Sequence, residues 1–138
     1  MNNCPFCENN IKKEETDRIL YESKNFIVFP SLGQIVEGYL LIVPKKHYIS
    51  MGDVPAKLYP ELKLVYNKVR EVLLKNYENP IFFEHGPISQ TKRGGCCIDH
   101  AHFHAVPIKV DLLIELSNNF KCKKIKSFLD IKKQFLTK

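Results

Sequence analysis

The sequence predicts an α+β domain, an antiparallel sheet of five strands with one long helix and a C-terminal helical segment. Three observations carry that expectation. Short apolar or alternating runs at 19–22, 26–29, 38–43, 80–84 and 100–107 have strand length and are set off by turn residues, Gly or Pro. A single stripe at steps of three and four runs through Leu62, Val65, Val69, Val72 and Leu73. Beyond residue 108, helical spacing returns through Ile125, Phe128, Leu129, Phe135 and Leu136.

Taken in order, residues 1–16 are short, polar and cysteine-bearing. Ile19–Glu22 and Phe26–Phe29 flank Ser23-Lys24-Asn25, a plausible turn. Gly38–Val43 is a continuous apolar run ended by Pro44, as a buried central strand would be. Pro60 suits the first position of a helix, so the long helix starts there. Pro80–Glu84 reads as the next strand, and Gly86–Gly95 as a loop carrying Lys92 and Arg93. His100–Pro107 alternates strictly and reads as the last strand. A length of 138 residues fits one domain. The expected organisation is therefore a single domain, 1–138, with an N-terminal segment 1–16 and a C-terminal helical tail 109–138.

Composition narrows the function classes. With 44% hydrophobic and 26% charged residues the chain is neither a disordered tail nor a membrane protein. No apolar run approaches the roughly 20 residues of a spanning helix. The net charge of +6 favours anionic partners, from nucleic acids to small phosphorylated ligands. Much of it sits in Lys121, Lys123, Lys124, Lys126, Lys132, Lys133 and Lys138, which read as a solvated face along the C-terminal helical pattern rather than as a nucleic-acid patch. Five cysteines, an odd number, and a start without a secretory pattern argue against a disulfide framework. The expected location is the reducing cytoplasm.

Three of the five histidines fall in Asp99-His100-Ala101-His102-Phe103-His104-Ala105-Val106-Pro107. On a strand, His100, His102 and His104 project to one face, about 6.5–7 Å apart in succession, while Ala101, Phe103 and Ala105 face the core. Three imidazoles together need a metal or an anion to justify them. They could ligate a metal. Alternatively one neutral imidazole could attack phosphorus while its neighbours manage charge and protons. Gly94-Gly95 just upstream frees backbone amides to approach an anion.

Cys4-Pro-Phe-Cys7 has the spacing at which two thiolates reach one tetrahedral zinc ion, and it needs two further ligands. Cys96-Cys97, pointing oppositely if extended, do not readily supply them. A redox pair should follow a strand and open a helix, and this one starts the chain. Two ordinary reduced cysteines are the remaining alternative.

His100-Ala-His102-Phe-His104-Ala-Val resembles the His-x-His-x-His-x-x signature, with apolar x, of the histidine-triad superfamily of nucleotidyl hydrolases and transferases. Leu40-Leu41-Ile42-Val43-Pro44-Lys45-Lys46-His47 and Phe26-Ile27-Val28-Phe29 resemble the strands upstream of it, so the resemblance covers residues 1–108. It implies that His102 attacks an α-phosphate, that His104 and His100 support phosphate binding and proton transfer, and that the protein is a homodimer with a continuous antiparallel sheet. It further implies a structural zinc held by Cys4, Cys7, His47 and His100. Phe29, Ser31, Gly95, Cys96, Cys97 and Lys92 are the expected substrate-binding residues.

Three departures from the family pattern stand out. Cys96-Cys97 replace the common Gln-Ser or Gln-Thr, Glu84 stands where many members carry Asn, and Ser31 where an Asp or Asn often binds ribose. His85 beside Glu84 could form an active-site pair and Lys45 and Lys46 could attract phosphate, but a strand-end histidine and solvated lysines after a strand are the more ordinary readings. Cys122 reads as a helix residue, and Tyr39 and Phe29 as core or pocket wall. The expected function is hydrolysis at the α-phosphate of a dinucleoside polyphosphate or nucleoside phosphoramidate through a nucleotidyl-histidine intermediate. The alternatives are a non-catalytic nucleotide or phosphate binder and, favoured only by the basic tail, a DNA-end deadenylase.

Overall fold

The computed structural model describes residues 4–7, 11, 18–89, 91 and 98–135. Five strands, β1 (Tyr21–Glu22), β2 (Phe26–Pro30), β3 (Leu40–Pro44), β4 (Ile81–Phe83) and β5 (Phe103–Val106), form one antiparallel sheet in the order β1-β2-β3-β5-β4. The long helix, α1 (Tyr59–Asn76), follows a short 3-10 turn at Ala56–Leu58, with Pro60 in its first turn where a missing N–H costs nothing. Two short helices end the described chain, α2 (Leu112–Ser117) and α3 (Leu129–Gln134).

Both faces of the sheet are buried, which is why β2 and β3 read as unbroken apolar runs. Phe26, Val28, Ile42, Phe103 and Ala105 face α1 and meet its Tyr59, Leu62, Val65, Val69 and Leu73. Ile27, Phe29, Leu41 and Val43 turn the other way and pack with Phe6 and Ile11 from the N-terminal segment. The period-two alternation therefore places His102 and His104 on the face that Phe6 covers, opposite the long helix. Of the stripe expected on α1, Val72 is exposed, because it lies at the rim of the buried arc.

The expected C-terminal helical segment is present as two short helices with a non-helical stretch between them. Helical spacing is realised only at α2, which the sequence reading did not single out, and at α3. Residues 121–125 between them have no regular secondary structure, so Cys122 and the lysines at 121, 123 and 124 are not on a helix. Phe128 anchors α3 by edge contacts to Tyr66 and Phe103. Lys132 donates to the carbonyls of Gly52 and Val54, so this lysine clamps the loop after β3 and is not merely a solvated charge. At Gly52 an added Cβ would come within 2.7 Å of Phe135, so only glycine lets the tail lie this close. Among the described residues, no helix is long and apolar enough to cross a membrane.

Candidate functional site

The site begins where the chain enters β5. The strand ladder starts at Phe103, so His100 and His102 precede it, whereas the alternation predicted a strand from His100. Their positions are held by other contacts. The N–H of Ala101 donates to the carbonyl of Tyr48 at 2.6 Å, and the backbone N–H of His102 donates to the carboxylate of Glu84.

His102 Nδ1 lies 2.6 Å from the carbonyl of His100. A carbonyl only accepts, so Nδ1 carries the proton and Nε2 keeps a lone pair. Burial pushes the His102 imidazole below its ordinary pKa, a tendency its hydrogen bond to His100 opposes and His85 reinforces. The ring is therefore a neutral, oriented base.

His104, on β5 opposite Phe83 of β4, stacks nearly parallel to the Phe83 ring at 4.6 Å and to the His85 ring at 5.3 Å. Its Nδ1 is 2.5 Å from the Tyr39 hydroxyl, while Nε2 is buried with no hydrogen-bond partner among the described residues. Burial, with His102 and His85 nearby, lowers its pKa to about 4. The rings of His102 and His104 are 4.7 Å apart.

His100 turns away from this pair. Its Nε2 is 2.8 Å from the carbonyl of Pro44, so that nitrogen is the donor and Nδ1 is left bare. Nδ1 faces Cys4 Sγ at 3.3 Å and Cys7 Sγ at 3.8 Å, and His47 Nδ1 lies 3.5 Å from Cys7 Sγ. The four donor atoms all lie within 4.8 Å of one another. Two sulfurs and two nitrogens around one tetrahedral ion would sit about 3.5 Å apart for metal–ligand bonds of about 2.0–2.3 Å. These four residues are grouped as the ligands of one metal ion would be, with small shifts needed to close the set. Burial and the neighbouring Cys4 raise the Cys7 thiol to about 11, which a bound cation would reverse by favouring the thiolate.

Glu84 links three segments. Both carboxylate oxygens accept from the N–H of Met51, at 2.9 and 3.0 Å, besides the N–H of His102. Burial raises its pKa to about 7 against the lowering effect of those bonds. A Cβ on Gly86 would come within 2.9 Å of Ser50 and 3.1 Å of a Glu84 oxygen, so glycine is what admits this close approach.

The remaining expected residues divide three ways. Phe29 is not a pocket wall: its ring is fully buried against Phe6 with the Arg18 guanidinium above it, and it belongs to the core. Ser31 sits half-buried just beyond β2, its N–H donating to the carbonyl of Tyr39. Lys92, Gly95, Cys96 and Cys97 lie outside the described residues. Sequence reasoning missed Tyr39, Phe83 and His85 as neighbours of the triad. Strand parity was the available signal: Phe83 and His85 alternate on and just beyond β4 as His102 and His104 do at β5, and Tyr39 has the parity of Leu41, the cross-strand partner of His104.

Comparison with known proteins identifies the family. The family described as scavenger mRNA decapping enzyme C-term binding matches residues 3–118. The chain belongs to this family, within the histidine-triad superfamily. It is 27% identical over 104 residues to the adenosine 5′-monophosphoramidase HNT1 of Saccharomyces cerevisiae, covering 75% of this chain and 61% of that relative. A HIT family hydrolase from Clostridium thermocellum shares the fold at a TM-score of 0.61 and 21% identity, over 81% of this chain and 95% of that one. A zinc-bound histidine triad family protein from Mycobacterium smegmatis does so at 0.61 and 16%, over 96% and 90% of the two chains.

The protonation states of this site have a sign that can be measured. His104 is neutral in the folded protein down to about pH 4, against an ordinary 6.5, so between these values the unfolded chain binds the extra proton. Its contribution is lost as pH falls through that window. Glu84 acts oppositely, because its carboxyl stays protonated in the folded state up to about 7 against an ordinary 4.5, and its contribution is lost as pH rises. Denaturation midpoints between about pH 4.5 and 6.5 should therefore fall more steeply on acidification in Glu84→Gln than in the wild type, and less steeply in His104→Asn. The reverse order would contradict the assigned states.

Proposed function

We propose that the chain is a nucleotidyl hydrolase that cleaves at the α-phosphate of a nucleoside phosphoramidate or dinucleoside polyphosphate, with His102 as nucleophile. The observation that carries this reading is the 2.6 Å contact from His102 Nδ1 to the His100 carbonyl. With that proton engaged, the Nε2 lone pair forms a bond to phosphorus as the bond to the leaving group breaks and its electron pair departs with that group. The ring becomes cationic as the bond forms, and the same carbonyl stabilises it. Water then attacks phosphorus and the Nε2 pair returns to the ring.

His104 has the complementary task. When Tyr39 donates to Nδ1, the proton of neutral His104 sits on Nε2, the buried atom without a partner, which is then a donor for a non-bridging phosphate oxygen. Amides around Gly95–Cys97 and the ammonium of Lys92 would complete the phosphate contacts, and Ser31 would meet the sugar. Similarity to the yeast phosphoramidase supports an adenosine phosphoramidate as the first substrate to test.

The second component of the reading is a structural zinc on Cys4, Cys7, His47 and His100. When bound, the ion crosslinks the N-terminal segment to the sheet and takes no part in the reaction. Protein purified without chelator should contain about one zinc per chain by elemental analysis, and Cys7→Ser should lose the metal together with several degrees of melting temperature. Protein that is metal-free at full stability would overturn this component.

The catalytic component is tested with His102→Gly. Turnover of adenosine 5′-phosphoramidate should fall by at least about 10³-fold while the variant stays folded and still binds AMP. His104→Ala should lose less. A His102 variant retaining most of the wild-type rate would refute the nucleophile. A wild type that binds AMP and turns over no substrate would support a binding protein instead.

A further inference from the structure

Departure of an amine from phosphorus needs a proton as the bond breaks, and neither histidine engaged so far can bring one. The Nδ1–H of His102 is committed to the His100 carbonyl. His104 is shielded from water, with one nitrogen on Tyr39 and the other buried, and burial holds it neutral down to about pH 4. Outside the four-donor cluster the remaining imidazole is His85. It is exposed, just beyond the end of β4, and its ring stacks within 8° of parallel on His104 at 5.3 Å. Its centroid is 6.3 Å from that of His102, with the rings nearly perpendicular. In line, an attack distance of about 3–3.5 Å, a P–N bond and one hydrogen bond put the two ring nitrogens about 7.5–8 Å apart, which rings with centroids 6.3 Å apart reach when their nitrogens are turned outward to the substrate.

From this juxtaposition, and resting on the hydrolase reading above, we infer that His85 is a further catalytic residue, the general acid for a basic leaving group and the general base for water. In the first step the His102 Nε2–P bond forms and the P–N bond of the phosphoramidate breaks. The electron pair of that bond stays on the leaving nitrogen, which takes a proton from protonated His85 and departs as a neutral amine. In the second step neutral His85 removes a proton from water as its oxygen bonds phosphorus, and the His102 N–P bond breaks with its pair returning to the ring. His85 ends protonated, as it began, so no other co-reactant is needed. Stacking on His104 fixes the ring plane, and exposure lets the proton exchange with solvent between turnovers.

The test separates proton transfer from stacking and from the hydrolase reading itself. His85→Phe keeps an aromatic ring against His104 and cannot carry a proton, whereas His85→Ala removes both functions. Two substrates are compared, the N-benzyl phosphoramidate of AMP, whose amine needs a proton to leave, and the p-nitrophenyl ester of AMP, whose phenolate does not. For His85→Phe the loss in kcat/KM, which reads formation of the nucleotidyl-histidine and not its shared hydrolysis, should be about a hundredfold larger on the phosphoramidate than on the ester. Equal losses of kcat/KM on both substrates, or wild-type kcat/KM on the phosphoramidate, would overturn the role of His85 while leaving the hydrolase reading intact. Loss in His85→Ala with full activity in His85→Phe would reduce the residue to a stacking support. A wild type inactive on both substrates would remove the hydrolase reading, and this inference with it.

Discussion

An imidazole is an ambiguous group until something takes the proton of one ring nitrogen, and at the entrance to β5 backbone carbonyls do so twice. The carbonyl of Pro44 takes His100 Nε2–H, which leaves Nδ1 facing the two thiols. The carbonyl of His100 takes His102 Nδ1–H, which leaves Nε2 bare for attack. One residue thus joins both halves of the site: its ring belongs to the four-donor cluster, and its carbonyl orients the proposed nucleophile. The distances to the thiols hold only if β5 stays paired with β3, so the sheet register is what makes the chemistry available.

Burial supplies the second constraint. Near pH 7, imidazoles open to water would be partly protonated and poor nucleophiles. Phe6 covers His100 and His102 edge-on, and Phe83 covers His104, so desolvation holds all three neutral. The cost is that none of these three neutral rings is a ready acid, and the exposed His85 lies beside two of them. Glu84 completes the arrangement by tying the loop after β3 to the backbone of His102, and the tail reaches the same loop through Lys132. Elements far apart in the chain therefore converge on a few backbone groups.

Much of this was legible in the sequence because it follows from period. The alternation placed Ala101, Phe103 and Ala105 in the core, and the structure buries all three. The step of three and four along α1 found four of its five buried residues, missing only Tyr59. The four donors named from the resemblance come together within 4.8 Å of one another. What period cannot encode is the partner across a strand or the depth of a ring. Phe29 stood between core and pocket wall, and was named for substrate binding, because strand position alone does not say that Phe6 lies over it. His85 was passed over because its importance depends on β4 pairing beside β5, a contact between residues far apart in sequence. The tail is helical as its spacing suggested, at Leu112–Ser117 and Leu129–Gln134, but the break between them was not legible, because spacing alone does not say where a helix stops.

The nucleotide bond to His102 is the most direct point of test. Wild-type protein mixed with excess adenosine 5′-phosphoramidate and quenched in alkali during turnover, where a phosphorus–nitrogen bond to histidine survives, can be digested and its peptides weighed. One nucleotidyl group on the peptide containing His102, absent from the His102→Gly protein, is the predicted result. Steady turnover with that peptide unmodified, or with the group on another residue, would contradict it.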